Sequence, residues 1–116
     1  MRRGSYFRGD RCLVEQVWHA ANPWTRLRGL LGRPPLGQGE GLLIEPCASV
    51  HTFGMRYSID LVFLDKDDHI VDMHEDVAPW RTRKARTRAR KTLELPAGTL
   101  ASLSPVLGER LTWQAR

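Results

Sequence analysis

Hydrophobic and polar residues alternate with a period of two along most of this chain, and that period predicts strands. In residues 12–18, Leu13, Glu15 and Val17 fall on one side and Cys12, Val14, Gln16 and Trp18 on the other. The period changes once. Asn22 can cap a helix, Pro23 suits its first position, and Trp24, Leu27, Leu30 and Leu31 recur at helical spacing until Gly32 and Pro34-Pro35 stop it, so one helix is predicted over residues 23–31. Gly37, Gly39 and Gly41 then make a permissive loop into a strand at residues 42–44, which Pro46 closes. Residues 58–64 carry apolar side chains on both faces (Ile59, Leu61, Val62, Phe63, Leu64), the mark of a strand covered on both sides. A turn at residues 65–68 predicts a hairpin back through residues 69–74, and residues 93–95 and 110–113 supply two further short strands. Together these elements predict a mainly β chain (β-rich α+β), a small β-sandwich or partly closed barrel with one helix near residues 23–31.

Length agrees with a single domain: 116 residues with 41% hydrophobic side chains suffice for a core without disulfides, and two cysteines make no disulfide framework. The longest apolar runs fall far short of the ~20 residues that span a bilayer, so no membrane partner is expected. Residues 1–11 hold four arginines with no apolar stretch behind them. They are expected to be a flexible basic arm preceding a domain over residues 12–116, with no export signal and a cytoplasmic location. The formal charge of +5 is local. Residues 81–91 contain Arg81, Arg83, Lys84, Arg86, Arg88, Arg90 and Lys91 and no acid, and the rest of the chain holds 11 basic residues against 13 acidic. As a strand this segment would set Ala85, Thr87 and Ala89 on one side and Arg86, Arg88 and Arg90 on the other. It reads first as a solvated loop or exposed strand. Its recognition alternative is a phosphate-binding strip for nucleic acid, with only Trp80 at its edge for stacking.

Three segments considered together resemble a known family: residues 26–33 (Arg-Leu-Arg-Gly-Leu-Leu-Gly-Arg), residues 41–44 with 51–65 (His-Thr-Phe-Gly-Met-Arg-Tyr-Ser-Ile-Asp-Leu-Val-Phe-Leu-Asp), and residues 93–98 (Leu-Glu-Leu-Pro-Ala-Gly). In order and spacing they are similar to the bacterial and archaeal domain of unknown function 192, over roughly residues 12–113. The resemblance implies a β-rich, sandwich-like fold with one helix and no established activity. Other branches carry a run of the type Trp-Met-Lys-Asn-Thr where this chain has residues 51–55, so no family-wide chemistry transfers to His51 or Met55.

The candidate chemistry gathers in the middle third. Cys47, His51 and Met55, spaced by four, share one side of either a strand or a helix and form a soft donor set suited to copper. A blue-copper site also needs an upstream histidine, for which His19 is available. Buried structural Cys and Met are the commoner outcome. Cys47 with His51 as base and Asp60 as orienter would make a nucleophilic dyad, although nothing supplies an obvious oxyanion hole. Cys12 and Cys47 are a further candidate pair for a redox link. Asp60 opens an apolar strand and needs a partner, for which Arg28 on the predicted helix is the choice. Glu94, between Leu93 and Leu95, either faces outward or lines the same pocket. His69 and His74 are expected at the surface, and Trp18, Trp24, Trp80 and Trp113 in the core or at its rim. The reading that gathers most of these residues is a non-catalytic module for an unknown small molecule or protein. Its polar pocket would be built from Arg28, Cys47, His51, Thr52, Arg56 and Asp60 at one end of the sandwich, with no cofactor. The alternatives are a Cys/His enzyme, a metal protein, or nucleic acid binding through residues 81–91.

Overall fold

Strand parity organises the molecule. In the computed structural model, which describes residues 1–22, 30, 34–86 and 88–116, the strands are β1 (Arg2–Arg8), β2 (Arg11–Ala20), β3 (Glu40–Ile44), β4 (Ser49–His51), β5 (Ile59–Leu64), β6 (Ile70–Val77), β7 (Thr82–Lys84), β8 (Lys91–Pro96) and β9 (Thr112–Ala115), with a five-residue helix α1 (Thr99–Leu103) before β9. Seven strands form one sheet in the order β6-β5-β8-β3-β2-β1-β9, while β4 and β7 pair apart as a small second sheet. Every pairing is antiparallel except β2 with β3. A parallel pair of this kind cannot be joined by a hairpin. The helix predicted at residues 23–31, with Trp24 and Arg28, lies outside the described residues.

The large sheet is buried on both faces. On one face Val62 and Leu64 of β5, Leu43 of β3 and Leu93 and Leu95 of β8 pack with Tyr6, Val14, Val17 and Leu100 of α1. On the other, Ile59, Leu61 and Phe63 of β5 pack with Leu42, Ile44, Val50, Met55 and Val77. All six residues of β5 are buried, as their two-sided apolar pattern predicts. Each large apolar side chain so buried contributes roughly 1.5–3 kcal/mol. The sheet also curls on itself. The Ile70 amide donates to the Glu109 carbonyl at 2.8 Å, Gly108 N–H to Ile70 O at 2.7 Å and Leu111 N–H to Asp68 O at 3.0 Å, tying the start of β6 to the approach of β9. The result is the mainly β, partly closed architecture expected, and no closed barrel.

The N-terminus differs from its expectation as a loose arm. Residues 2–8 form β1, flanked by β2 and β9, because Gly4, Ser5 and Tyr6 are core residues set among the arginines. Tyr6 is fully buried and donates its hydroxyl to Asp68 Oδ1 at 3.0 Å, and burial together with that carboxylate pushes the phenol pKa strongly upward. A Cβ on Gly4 would stand 2.3 Å from the Trp113 ring, so glycine there is what admits β9. Arg8 bonds Glu109 and the Leu103 carbonyl. The last strand is shifted from residues 110–113 to Thr112–Ala115, with Arg110 bridging to His69.

Asp60 shares parity with Val62 and Leu64, so its fully buried carboxyl points to the α1 face. There its two oxygens accept the amides of Asp76 and Leu100, each at 2.8 Å. One side chain thus joins β5, β6 and the first turn of α1. Asp60→Ala is expected to cost about 3 kcal/mol or more, because two buried amides lose their acceptor. Urea denaturation measures it, and a loss below about 1 kcal/mol would show that the clamp carries little.

Candidate functional site

The small sheet presents what the large sheet does not: exposed aromatic rings. In β4, Val50 faces the core at 8% exposure, and Ser49 and His51 therefore face solvent. Beyond β4, Thr52 turns back inward and is fully buried. A tight turn follows, closed by Met55 N–H on Thr52 O at 3.2 Å, with Gly54 at a φ of 83° where a side chain would be strained. This turn lifts Phe53 outward. From the other strand, residues 78–81 make a second turn with Pro79 at its first corner and Trp80 at φ 64°, a conformation uncommon for so bulky a residue. Thr52 holds both turns together. Its hydroxyl donates to Ala78 O at 2.7 Å and accepts Arg81 N–H at 2.9 Å, while its amide donates to Arg81 O and its carbonyl accepts Trp80 N–H.

The consequence is a row of three rings. His51 and Phe53 lie 5.1 Å apart between centroids at 40°, and Phe53 and Trp80 lie 5.6 Å apart at 24°, close to parallel. Phe53 is 45% and Trp80 65% exposed. The core-or-rim expectation for tryptophan therefore fails at Trp80, although Trp18 and Trp113 do pack half-buried against the two cores. Residue pattern does not single out Phe53, since Trp80, the ring it stacks on, lies 27 residues away in the chain. A glycine turn in one place and a Pro-Trp ahead of a basic run in the other were the available signals.

The basic segment borders these rings. Ala85 and Ala89 pack against the core and Arg86, Arg88 and Arg90 are exposed, in a segment that lies between β7 and β8 and is not itself a strand. Arg86 reaches Asp72 at 3.3 Å while staying 73% exposed, and Lys91 bonds Asp68 at 2.8 Å. Asp72 is fully buried. Burial would raise its pKa, but the amides of Met73 and Arg86, the Arg86 guanidinium and the nearby His74 together hold it below the usual carboxylate range. Among the described residues, Arg81, Arg83, Lys84, Arg88 and Arg90 meet no carboxylate.

The pocket expected from sequence is not assembled by these side chains. Asp60 faces α1, across the sheet from Met55 and Cys47, which pack in the opposite core. Its partners among the described residues are backbone amides, and the predicted partner Arg28 lies outside the described residues. Thr52 spends its hydroxyl on backbone, Arg56 is exposed, and His51 stacks outward on Phe53. Cys47 donates its thiol to Ser49 O at 3.1 Å, so it and His51 have separate partners, and Met55 is a core residue. His19, the extra ligand a copper site would need, lies 2.9 Å from Glu45. Cys12 sits near the start of β2 and Cys47 beyond the residue paired with its end, roughly 25 Å of strand away, so no disulfide can join them; both thiols are free. His69 and His74 are half-buried rather than free at the surface, His69 beside Asp65 and His74 beside Asp72 with its ring edge-on to Phe63. Asp65, Asp67 and His69 cluster, but Asp65 already accepts the amides of Asp67 and His69 in bracing that turn.

Glu94 is the one buried acid without a hydrogen bond among the described residues. It lies between Leu42 and Leu61 on neighbouring strands, 3% exposed, and burial raises its pKa from 4.5 to about 7. It does not face outward as a strand acid would. Tyr57, whose hydroxyl is buried and unpartnered among the described residues, is raised by burial and by the Glu94 charge. Two hollows lie elsewhere: an apolar one of about 340 Å³ lined by Trp18, Leu30, Leu36 and Leu42, and a polar groove of about 620 Å³ between β2 and α1 at Cys12, Gln38 and Thr99. Neither is lined by Cys47, His51, Thr52, Arg56 or Asp60.

The fold and surface define a small mainly β protein with one curled mixed sheet and a two-stranded appendage bearing aromatic and basic side chains. The family model described as "Uncharacterized ACR", domain of unknown function 192, matches residues 7–113, and the chain belongs to that family. The UPF0127 protein PH1112 of Pyrococcus horikoshii is 39% identical over 66 residues, 57% of this chain and 56% of that one. A UPF0127 protein of Thermococcus sibiricus is 34% identical over 95 residues, 78% of this chain and 61% of that one. The chain thus spans about three-fifths of the length of these curated relatives. A crystal structure of a protein of unknown function from Novosphingobium aromaticivorans superposes with a TM-score of 0.82 at 20% identity, covering 96% of this chain and 84% of that one, a likeness of fold alone. No described helix is long and apolar enough to cross a membrane.

Two outcomes test this description. Thr52→Val keeps the volume and removes the hydroxyl; a loss of about 1–3 kcal/mol is expected, with faster hydrogen exchange at the Arg81 amide. Unchanged exchange there would show that the hydroxyl does not hold the turn. For Glu94 the folded-state pKa lies above the unfolded value, so the folded state binds the extra proton. The cost of ionising it is absent below about pH 4.5 and grows as pH rises through about 7, up to roughly 3 kcal/mol. Chemical denaturation should therefore show wild type losing stability from pH 5 to 8 and Glu94→Gln losing much less; parallel pH profiles would contradict the burial of a protonated acid.

Proposed function

We propose that this protein is a non-catalytic binding module and that its working surface is the outer face of the small sheet. The observation that carries the reading is the stacked row His51, Phe53 and Trp80, held out from the body of the domain beside Arg81, Arg83 and Lys84, which meet no carboxylate among the described residues. Exposed rings in contact with one another are costly in water, and such patches mark interaction sites more often than chance exposure does. Thr52 supports the reading as well: a fully buried hydroxyl is spent on keeping Trp80 in an unfavourable backbone conformation. A partner-binding role fits this face better than a small-molecule role, because the rings form a ridge with open sides and enclose no cavity among the described residues.

The test places a photo-crosslinking phenylalanine derivative at position 53 of the full chain, with position 106 as a still more exposed apolar control. Irradiation of expressing cells is expected to give covalent adducts from position 53 that are absent from position 106. No adduct at 53, or equal adducts at both positions, would remove the docking surface.

A further inference from the structure

We infer that the partner of this surface is single-stranded nucleic acid, its unpaired bases stacking on His51, Phe53 and Trp80 and its phosphates running along Lys84, Arg86, Arg88 and Arg90. The inference rests on the docking surface proposed above and supplies the chemistry of its occupant. Three features favour it. Trp80 is 65% exposed and is backed on one side by Phe53 at only 24° from parallel, and a base stacks on an open ring face of this kind whatever its sequence. A duplex hides its base faces and cannot use them. The cations are placed for a backbone that continues past the rings. Lys84 stands opposite Ser49, two residues along β4 from His51 and thus roughly 7 Å from its level, and the exposed Arg86, Arg88 and Arg90 follow. Arg86 remains available because only one weak contact, 3.3 Å to Asp72, holds a guanidinium that is 73% exposed.

The third feature is preorganisation. Thr52 fixes the Trp80 turn from both sides before any ligand arrives, so the platform loses little freedom on binding. An acidic peptide would answer the charge and leave the ring faces unused. An apolar protein surface would cover the rings and leave Lys84, Arg88 and Arg90, which meet no carboxylate among the described residues, unanswered at its rim. Stacked bases on a phosphate backbone satisfy both, and the ribose or deoxyribose between them is shared chemistry that the test separates.

Fluorescence polarisation with the full chain tests it, using labelled dT12, U12, a mixed-sequence 12-base-pair duplex and poly-glutamate of matched charge. Binding of dT12 or U12 at least tenfold tighter than the duplex is expected, with any tenfold difference between the two naming the preferred sugar. Phe53→Ala and Trp80→Ala should each weaken binding about tenfold, consistent with the stacking energy of one base. Val106→Ala should leave it unchanged, and both ring variants should melt like wild type because the rings are exposed. With four phosphates neutralised, one for each of these cations, the log–log salt slope should be about −3, and Lys84→Gln should reduce its size by about 0.7. Duplex binding as tight as single strand, or indifference to both ring variants, would overturn the inference. Poly-glutamate binding as tightly as dT12, or binding of none of the probes while position 53 still crosslinks in cells, would overturn the nucleic acid class and leave the docking surface standing. Loss of both signals would overturn both.

Discussion

Everything in this molecule follows from a sheet that is buried on both faces. Once β5 must hide every side chain, the period of two assigns each residue to one of two cores with no choice left. Ile59, Leu61 and Phe63 go one way and Asp60, Val62 and Leu64 the other. A carboxyl delivered into the second of these cores must find donors there, and the amides of Asp76 and Leu100 are the donors it finds. The same parity sends Glu94 to the face where it has apolar neighbours across the strands and no donor among the described residues. Two acids on adjacent strands are thus treated oppositely by a single geometric rule, one serving as a clamp and the other kept close to neutral.

The small sheet is where the molecule departs from this economy. Here a fully buried threonine fixes two turns whose apolar side chains are turned outward, and a tryptophan occupies left-handed backbone space to make that possible. Nothing in core formation asks for this arrangement: Trp80 would stabilise the domain more if folded in. The run of cations beside it has its small residues, Ala85 and Ala89, packed on the core and Lys84, Arg86, Arg88 and Arg90 exposed. Charge and aromatic surface are thereby brought within reach of one another on a rigid support.

The expected polar pocket shows how spacing misleads when faces are unknown. Cys47, His51 and Met55 do fall at intervals that any regular element would align, yet the chain between them is a short strand and then a turn, not one element. His51 leaves to solvent, Met55 enters the core, and Cys47 bonds its own loop. The N-terminal strand was hidden for a related reason. Its arginines dominate the composition, while the residues that matter for pairing are Gly4, Ser5 and Tyr6 between them, the glycine making room for Trp113 by its missing side chain. Helix α1 is too short to show a periodic stripe, and it forms because Asp60 receives its Leu100 amide.

By itself the amino-acid sequence determined the mainly β class, most strand positions and the two-sided burial of β5. These are local properties, readable because side-chain alternation is a property of each strand alone. Tertiary structure decided which distant residues meet. It stacked Phe53 on Trp80 across 27 positions of chain, gave Asp60 its amides and separated Asp60 from Cys47 by the thickness of a sheet. Such encounters depend on strand order and on which face each turn selects, and those are settled by the packing of the whole domain rather than by any one segment.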